Sequence, residues 1–154
     1  MNQALKFKWH RVYGQILVDR RLKAAWEKVE YNRGAGGIDG ETIDSCRYKL
    51  EENLDALLQK LRRKEYQPSP VRRRYIPKKN GKKRPLGIPN IEDRIVQQAV
   101  VDVLQPKFEQ NIFHKWSCGY RSNRGAKRVL QIIMANIEQG YNYIFDADIK
   151  GFFR

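Results

Sequence analysis

The sequence has few cysteines, few histidines and no long apolar run. Two cysteines, Cys46 and Cys118, lie far apart and without metal-ligand spacing, which predicts a reduced, cytoplasmic protein with two incidental thiols. His10 and His114 have no partner at a useful spacing, which argues against a histidine-based catalytic or metal site. No apolar run approaches the ~20 residues that span a bilayer, and no secretory segment is apparent, so no membrane segment is expected.

Acidic residues are also scarce, and this is the more informative shortage. Against 17 Asp and Glu stand 31 Lys and Arg, a net charge of +14 in 154 residues. Such an excess opposes compaction and is most simply explained by a polyanionic partner, nucleic acid first and a membrane surface second. The 41% hydrophobic content is enough for one globular core.

Apolar spacing predicts helices in the first part of the chain. One helix is expected from Ile16 to Tyr31, ending near Gly34, with a shorter helix before it. A second is expected from Ile43 to Leu61, with a stop at Pro68. Between them, four glycines between Gly34 and Gly40 exclude regular structure, and on the residues alone a mobile connector is favoured over a phosphate-binding loop.

Two extended runs around Asn80-Gly81 predict a β-hairpin, with strands at 71–78 and 83–88. No acidic residue lies between Glu65 and Glu92. Lysine on edge strands can also prevent aggregation, but so many cations favour contact with nucleic acid or a triphosphate. The eight hairpin cations are Arg72, Arg73, Arg74, Lys78, Lys79, Lys82, Lys83 and Arg84.

The rest of the chain predicts two more helices and a loop. An amphipathic helix is expected from Ile91 to Phe108, with Arg94, Gln97 and Gln98 on its exposed face. Residues 111–124 are expected to form a loop in which Tyr120 and Arg121 contact nucleic acid, or in which a core aromatic lies beside a surface arginine. A helix from Ala126, capped by Gly140, follows.

A strand is predicted at 141–152, where alternation places Asp146 and Asp148 on one face. Successive residues on one face are roughly 7 Å apart, a separation that suits a hard cation such as Mg²⁺ better than a pair of carboxyls sharing a proton. The alternative is that acidic residues simply end a strand that emerges into water.

These motifs together resemble group II intron reverse transcriptases. The similarity runs from about Gly34 to Phe153 and is carried by the Gly-Gly-Ile-Asp-Gly loop at 36–40, the hairpin at 72–89, Asp-Arg-Ile-Val-Gln-Gln-Ala at 93–99, Ser-Cys-Gly-Tyr-Arg at 117–121 and Asp-Ile-Lys-Gly-Phe-Phe at 148–153. The resemblance implies an α+β fold of helix-rich reverse-transcriptase fingers with a basic β-hairpin, ending in the first strand of an incomplete palm. Implied boundaries are an N-terminal helical extension at 1–33, fingers at 34–140 and the start of a truncated palm at 141–154.

The resemblance also implies roles for individual residues. Asp148 would be the catalytic carboxylate that binds both Mg²⁺ ions, with the backbone carbonyl of Ile149 as a further metal ligand. Lys78 and Arg84 would bind the triphosphate of the dNTP, and Phe153 would exclude a ribose 2′-hydroxyl. The glycine-rich loop would be a lid over the template-primer duplex. The predicted RNA-binding residues are Arg72, Arg73, Arg74, Lys79, Lys82, Lys83, Arg94, Gln97 and Arg121.

The sequence departs from the family pattern at two positions and lacks one motif. Arg154 stands where family members have Asp, Ser122 replaces a Pro, and Tyr-X-Asp-Asp is absent. The expectation is therefore a fragment of an RNA-directed DNA polymerase and maturase that is inactive alone, with RNA template, DNA primer and dNTP as partners and Mg²⁺ as cofactor. A second copy, forming a homodimer, is one way to pair the edge of the Asp strand. The alternatives are a non-catalytic RNA-binding module and a small metal-dependent nuclease.

Overall fold

Helices and one small antiparallel sheet make up the protein. A computed structural model describes residues 12–79, 81–121 and 123–149. By packing, the chain divides into two compact units, Met1–Ile112 and Phe113–Arg154. The predicted division into an N-terminal extension (1–33), fingers (34–140) and the start of a palm (141–154) is not tested by these units and stays a prediction. The elements are α1 (Val12–Ile16), α2 (Asp19–Asn32), α3 (Ile43–Tyr48), α4 (Leu50–Arg62), β1 (Arg72–Pro77), β2 (Lys83–Ile88), α5 (Ile91–Asn111) and α6 (Ala126–Glu138).

The core of the first unit is built from the apolar stripes of α2, α4 and α5. Trp26 of α2 is almost fully buried in it, and Ile91 and Ile95 of α5 are buried completely or nearly so. The stripes predicted from the spacing of apolar residues are confirmed, because a helix that buries one face needs such residues every three or four positions. Val18, which the spacing also predicts to belong to the stripe of the first long helix, is the exception: it precedes α2 as its N-cap and is exposed.

The single helix predicted from Ile43 to Leu61 is two helices. Lys49 leaves the helical conformation, with φ −117° and ψ 26°, so that α3 ends at Tyr48 and α4 begins at Leu50. The Thr42 hydroxyl accepts a hydrogen bond from the Ser45 N–H at 3.1 Å and caps α3. The apolar spacing predicted one continuous helix because a break of one residue hardly disturbs the period.

In the second unit, α6 ends as its sequence predicts. The Gly140 N–H donates to the Ile137 carbonyl at 2.9 Å and the Tyr141 N–H to the Asn136 carbonyl at 3.1 Å. Gly140 has φ +92°, the left-handed conformation that this C-terminal motif requires and that glycine adopts without steric cost.

The strand predicted at 141–152 is absent from the part of it that the structure describes. Residues 141–149 lie in neither a helix nor a strand, and all of them are exposed. A strand needs a hydrogen-bonded neighbour, and the one sheet in the described ranges pairs β1 with β2 alone. The alternation of side chains predicted a strand, but the described residues contain no strand that pairs with 141–149.

Three parts of the predicted scheme lie outside the described residues: 1–11 of the N-terminal extension, Asn80 of the turn, and 150–154 of the Asp motif with Phe153. Ser122 lies outside them as well. Among the helices within 12–79, 81–121 and 123–149, none combines the length and the apolar character needed to cross a lipid bilayer.

Candidate nucleic-acid interface

The predicted hairpin is confirmed, and its register is defined. β1 and β2 pair antiparallel, with Arg72 opposite Ile88 and Pro77 opposite Lys83. The pairing continues one step further, because the Lys78 N–H donates to the Lys82 carbonyl at 2.7 Å. Gly81 closes the turn at φ +75°, where a side chain would be strained.

The register distributes positive charge over both faces of the hairpin. Residues directly opposite each other share a face, so Arg84 lies on the same face as its partner Ile76 and as Arg74. Lys78 follows Ile76 by two positions and shares that face. The residues predicted to bind a triphosphate, Lys78 and Arg84, are therefore neighbours on one side of the ladder. Arg73 and Lys83 lie on the other side.

Most of this charge is exposed and has no acidic neighbour in sequence. Apart from Arg72 at its start, every residue of β1 is exposed, and in β2 only Ile88 is partly covered. The nearest acid after the hairpin, Glu92, already pairs with Lys60 of α4 at 2.9 Å. Arg72 differs from the other cations because its Nε is enclosed and has no hydrogen-bond partner. The exposed hairpin is thus a surface suited to phosphate groups.

The chain leading into the hairpin is anchored by a buried carboxylate. Asp93, in the first turn of α5, is 3% exposed and accepts hydrogen bonds from the Tyr66 hydroxyl at 2.5 Å and the Ser69 N–H at 3.2 Å. Burial, and then the bond to Asp93, raises the pKa of Tyr66 above its ordinary value, so the hydroxyl remains the donor. Asp93 thereby positions the base of the hairpin on the core.

The glycine-rich loop is held against the same turn of α5. The Asn90 side-chain oxygen accepts from the Ile38 N–H at 2.9 Å. Arg94 donates through Nε to the Pro89 carbonyl at 3.1 Å and through Nη2 to the Ala35 carbonyl. These bonds tie the loop to α5 and argue against the interpretation of this loop as a mobile connector. Arg94, predicted to contact RNA, has its guanidinium engaged in holding the loop.

Gly37 shows why glycine is needed in that loop. A Cβ added there would lie 2.0 Å from the Asn90 side-chain oxygen and 2.6 Å from the Asn90 Cα. No side chain fits at those distances, so glycine is what allows the loop to approach α5. Asn90 escaped the sequence analysis because an N-cap asparagine looks the same whether it binds its own helix or a distant loop.

Arg121 is an internal residue of the loop in the second unit. It is 9% exposed, its Nη1 donates to the His114 and Ser117 carbonyls at 2.8 Å each, and its guanidinium lies 5.0 Å from the Phe113 ring centroid. Tyr120 beside it is fully exposed. The alternative, a core aromatic beside a surface arginine, is wrong, because the arginine is buried and the neighbouring tyrosine is exposed. A contact of Arg121 with RNA stays a prediction, as does one of the exposed Gln97.

The predicted metal ligands are exposed, and among the described residues they do not belong to a cluster of metal-binding side chains. Asp146 and Asp148 lie in the irregular segment 141–149. Within the described residues, no three His, Cys, Asp or Glu side chains come together where they could hold a metal ion. A carboxylate of Asp148 and the carbonyl of Ile149 are oxygen ligands of the kind Mg²⁺ accepts. They do not by themselves fit a two-metal centre.

The chain is similar in sequence to known proteins over most of its length. Residues 76–154 match the family model described as Reverse transcriptase (RNA-dependent DNA polymerase). Protein YkfC of Escherichia coli K12 is 36% identical over 76% of this chain. Group II intron-encoded protein LtrA of Lactococcus lactis is 36% identical over 93% of it. An uncharacterized 91 kDa protein in the cob intron of Schizosaccharomyces pombe is 30% identical over 92%. The chain spans 32%, 24% and 17% of these relatives' own lengths.

Proposed function

We propose a function from one premise: this chain belongs to the reverse transcriptase (RNA-dependent DNA polymerase) family. Its similarity over most of its length to proteins encoded in introns favours the group II intron type of reverse transcriptase and maturase. The proposed function is to bind RNA template, DNA primer and incoming dNTP for RNA-directed DNA synthesis. The observation that carries it is the exposed hairpin with cations on both faces.

In this proposal the two faces of the hairpin have different ligands. Lys78 and Arg84, neighbours on one face by the register, neutralise the triphosphate as the primer 3′-hydroxyl attacks its α-phosphate and pyrophosphate leaves. Arg73 and Lys83, on the opposite face, contact RNA phosphates. Asp93 is a positioning residue, because it fixes the segment that enters β1.

Bound Mg²⁺ would supply charge stabilisation to the transferring phosphoryl group. Asp148 is proposed as one carboxylate of that centre. Because Tyr-X-Asp-Asp is absent from these 154 residues, the chain alone is expected to be inactive in polymerisation. The exposed basic hairpin also suits a second candidate function, a non-catalytic RNA-binding module in which Asp148 has no metal. Both candidates bind RNA through the hairpin, and they differ in whether Asp148 affects catalysis.

Removing three exposed hairpin cations should weaken RNA binding and its dependence on salt. The change is Arg73→Ala, Lys79→Ala and Lys83→Ala in one chain. Each lost contact with single-stranded RNA should reduce the slope of log affinity against log salt by about 0.7, so the slope should fall by about two units. Fluorescence anisotropy of a labelled single-stranded RNA, titrated at several salt concentrations, measures both quantities.

The matched control removes the same charge from the helices of the first unit. Arg20→Ala, Arg62→Ala and Arg63→Ala replace three exposed arginines of the α2 and α4 region. We expect this variant to keep most of the parent slope. Equal slopes for the two triple variants would show that RNA responds to net charge alone and would refute the hairpin assignment.

A steric role of Phe153 can be tested in an active chimera, in which this chain replaces the matching residues of the Lactococcus lactis relative. Phe153→Val should raise kcat/KM for ribonucleotides relative to deoxynucleotides, because the smaller side chain leaves room for a 2′-hydroxyl. Steady-state primer extension with each substrate measures the ratio. A parallel fall for both substrates would instead assign Phe153 to packing.

A further inference from the structure

The second unit contains an open groove that the hairpin does not share. Its volume is about 490 Å³, within the ~300–1,000 Å³ typical of small-ligand sites. None of its lining residues was among the predicted site residues. The groove is lined by Lys115, Trp116, Asn123, Arg124, Arg128 and Ile132.

One wall of the groove is aromatic. Trp116 is 58% exposed, although the Lys115 ammonium lies 5.1 Å from its ring centroid. At this exposure most of the indole surface lies in water and is open to a ligand. Flat aromatic surfaces next to cations are the sites on which unpaired nucleobases stack.

The other wall is the positive start of α6. This helix begins after Gly125 without a side-chain cap, and its first turn has no acidic residue but contains Lys127 and Arg128. Cations at a helix N-terminus oppose the helix dipole, whereas an anion there is stabilised by the dipole and by the first N–H groups. From Gln110 to Ile137 the sequence has no Asp or Glu that could supply that anion.

The two walls are joined by a hydrogen bond inside the unit. Arg124 donates through Nη1 to the Lys115 carbonyl, so the residue beside Trp116 is tied to the segment that starts α6. Asn123, between the walls, has φ +59°, a conformation that asparagine tolerates better than most residues. The aromatic surface and the uncompensated cations are therefore presented by one connected loop.

We propose that this groove is a second RNA site, which binds one unpaired nucleotide of a single strand. The base stacks on Trp116, and the adjoining phosphate lies between Arg128 and the first turn of α6. A duplex would not supply the base, because paired bases are already stacked on their neighbours. The site is independent of the hairpin, since no residue is common to the two surfaces.

The test uses the full chain with Arg73→Ala, Lys79→Ala and Lys83→Ala, so that hairpin binding is weakened. An oligouridylate of about 12 nucleotides and an abasic oligomer of equal length are the probes. Adding Trp116→Ala should weaken oligouridylate binding about tenfold and leave abasic binding unchanged, because only the stacked base is lost. Trp116→Phe should restore most of the affinity. Equal effects on both probes, or no effect, would overturn the proposal.

The phosphate contact has a matched control in the same helical turn. Arg128→Ala should reduce the salt slope by about 0.7, whereas Lys127→Ala, which removes the same charge outside the groove lining, should change affinity less than about twofold. Identical losses from the two variants would overturn the assignment of Arg128. If the hairpin variant binds like the parent while Trp116→Ala still weakens binding, the hairpin proposal fails and this one stands.

Discussion

Replacing Gly37 with alanine should lower the melting temperature of this chain by about 10 °C. The new Cβ would lie 2.0 Å from the Asn90 side-chain oxygen and within 2.7 Å of the Asn90 backbone. The loop must therefore move away from α5 and lose the hydrogen bond from Ile38 to buried Asn90. Overpacking and a lost buried bond together cost about 3 kcal/mol, which for this chain length is about 10 °C. Thermal unfolding followed by circular dichroism measures it.

Gly14→Ala is the matched control for that substitution. It makes the same chemical change in the same unit, but an added Cβ at Gly14 meets nothing within 4 Å. Because Gly14 lies in α1, alanine there should leave the melting temperature unchanged or raise it slightly. If Gly37→Ala and Gly14→Ala have the same melting temperature, stability does not depend on the close approach of the loop to α5.

Asp148→Asn should slow primer extension at least about a thousandfold in the chimera with the Lactococcus lactis relative. The substitution preserves size and shape but removes the negative charge proposed to bind metal. A loss of about 4 kcal/mol of transition-state stabilisation corresponds to that factor. Single-turnover primer extension, with the unsubstituted chimera as reference, gives the rate. Comparable rates would leave the non-catalytic RNA-binding module as the better account of this chain.

Asp146→Asn is the control, since it removes the same charge two residues away in the same exposed segment. We expect a much smaller loss of rate from it. RNA affinity should be nearly unchanged in both variants, because neither aspartate belongs to the basic hairpin. A larger loss from Asp146→Asn would show that the wrong carboxylate was assigned.

Elements defined by a local pattern were predictable from the sequence. The hairpin followed from Asn80-Gly81 between extended runs, and its strands lie within two residues of the predicted ends. The C-terminal cap of α6 followed from Gly140. The strand predicted at 141–152 is absent from 141–149, because a strand is completed by a neighbour that its own sequence does not specify.

Arginines were the least predictable part of the candidate site. Arg94 and Arg121 were both assigned to RNA, yet both donate to backbone carbonyls of their own unit. A guanidinium offers the same donors to a carbonyl as to a phosphate, so sequence cannot distinguish an arginine that organises a loop from one that awaits a ligand. Burial in the structure distinguishes the two kinds of arginine: Arg73 and Arg74 of the hairpin are exposed, whereas Arg121, which organises a loop, is buried.

The sequence by itself determined the charge of the hairpin and the order of the helices, because net charge needs no folding and helical periodicity is a property of neighbouring residues. Tertiary structure alone decided that the first turn of α5 holds both the glycine-rich loop and the segment entering β1. Those contacts join residues such as Ile38 and Asn90, 52 positions apart in the chain. They exist because packing of α2 on α5, and of α4 on α2, brings distant segments within hydrogen-bonding distance, where buried Asn90 and Asp93 must find partners.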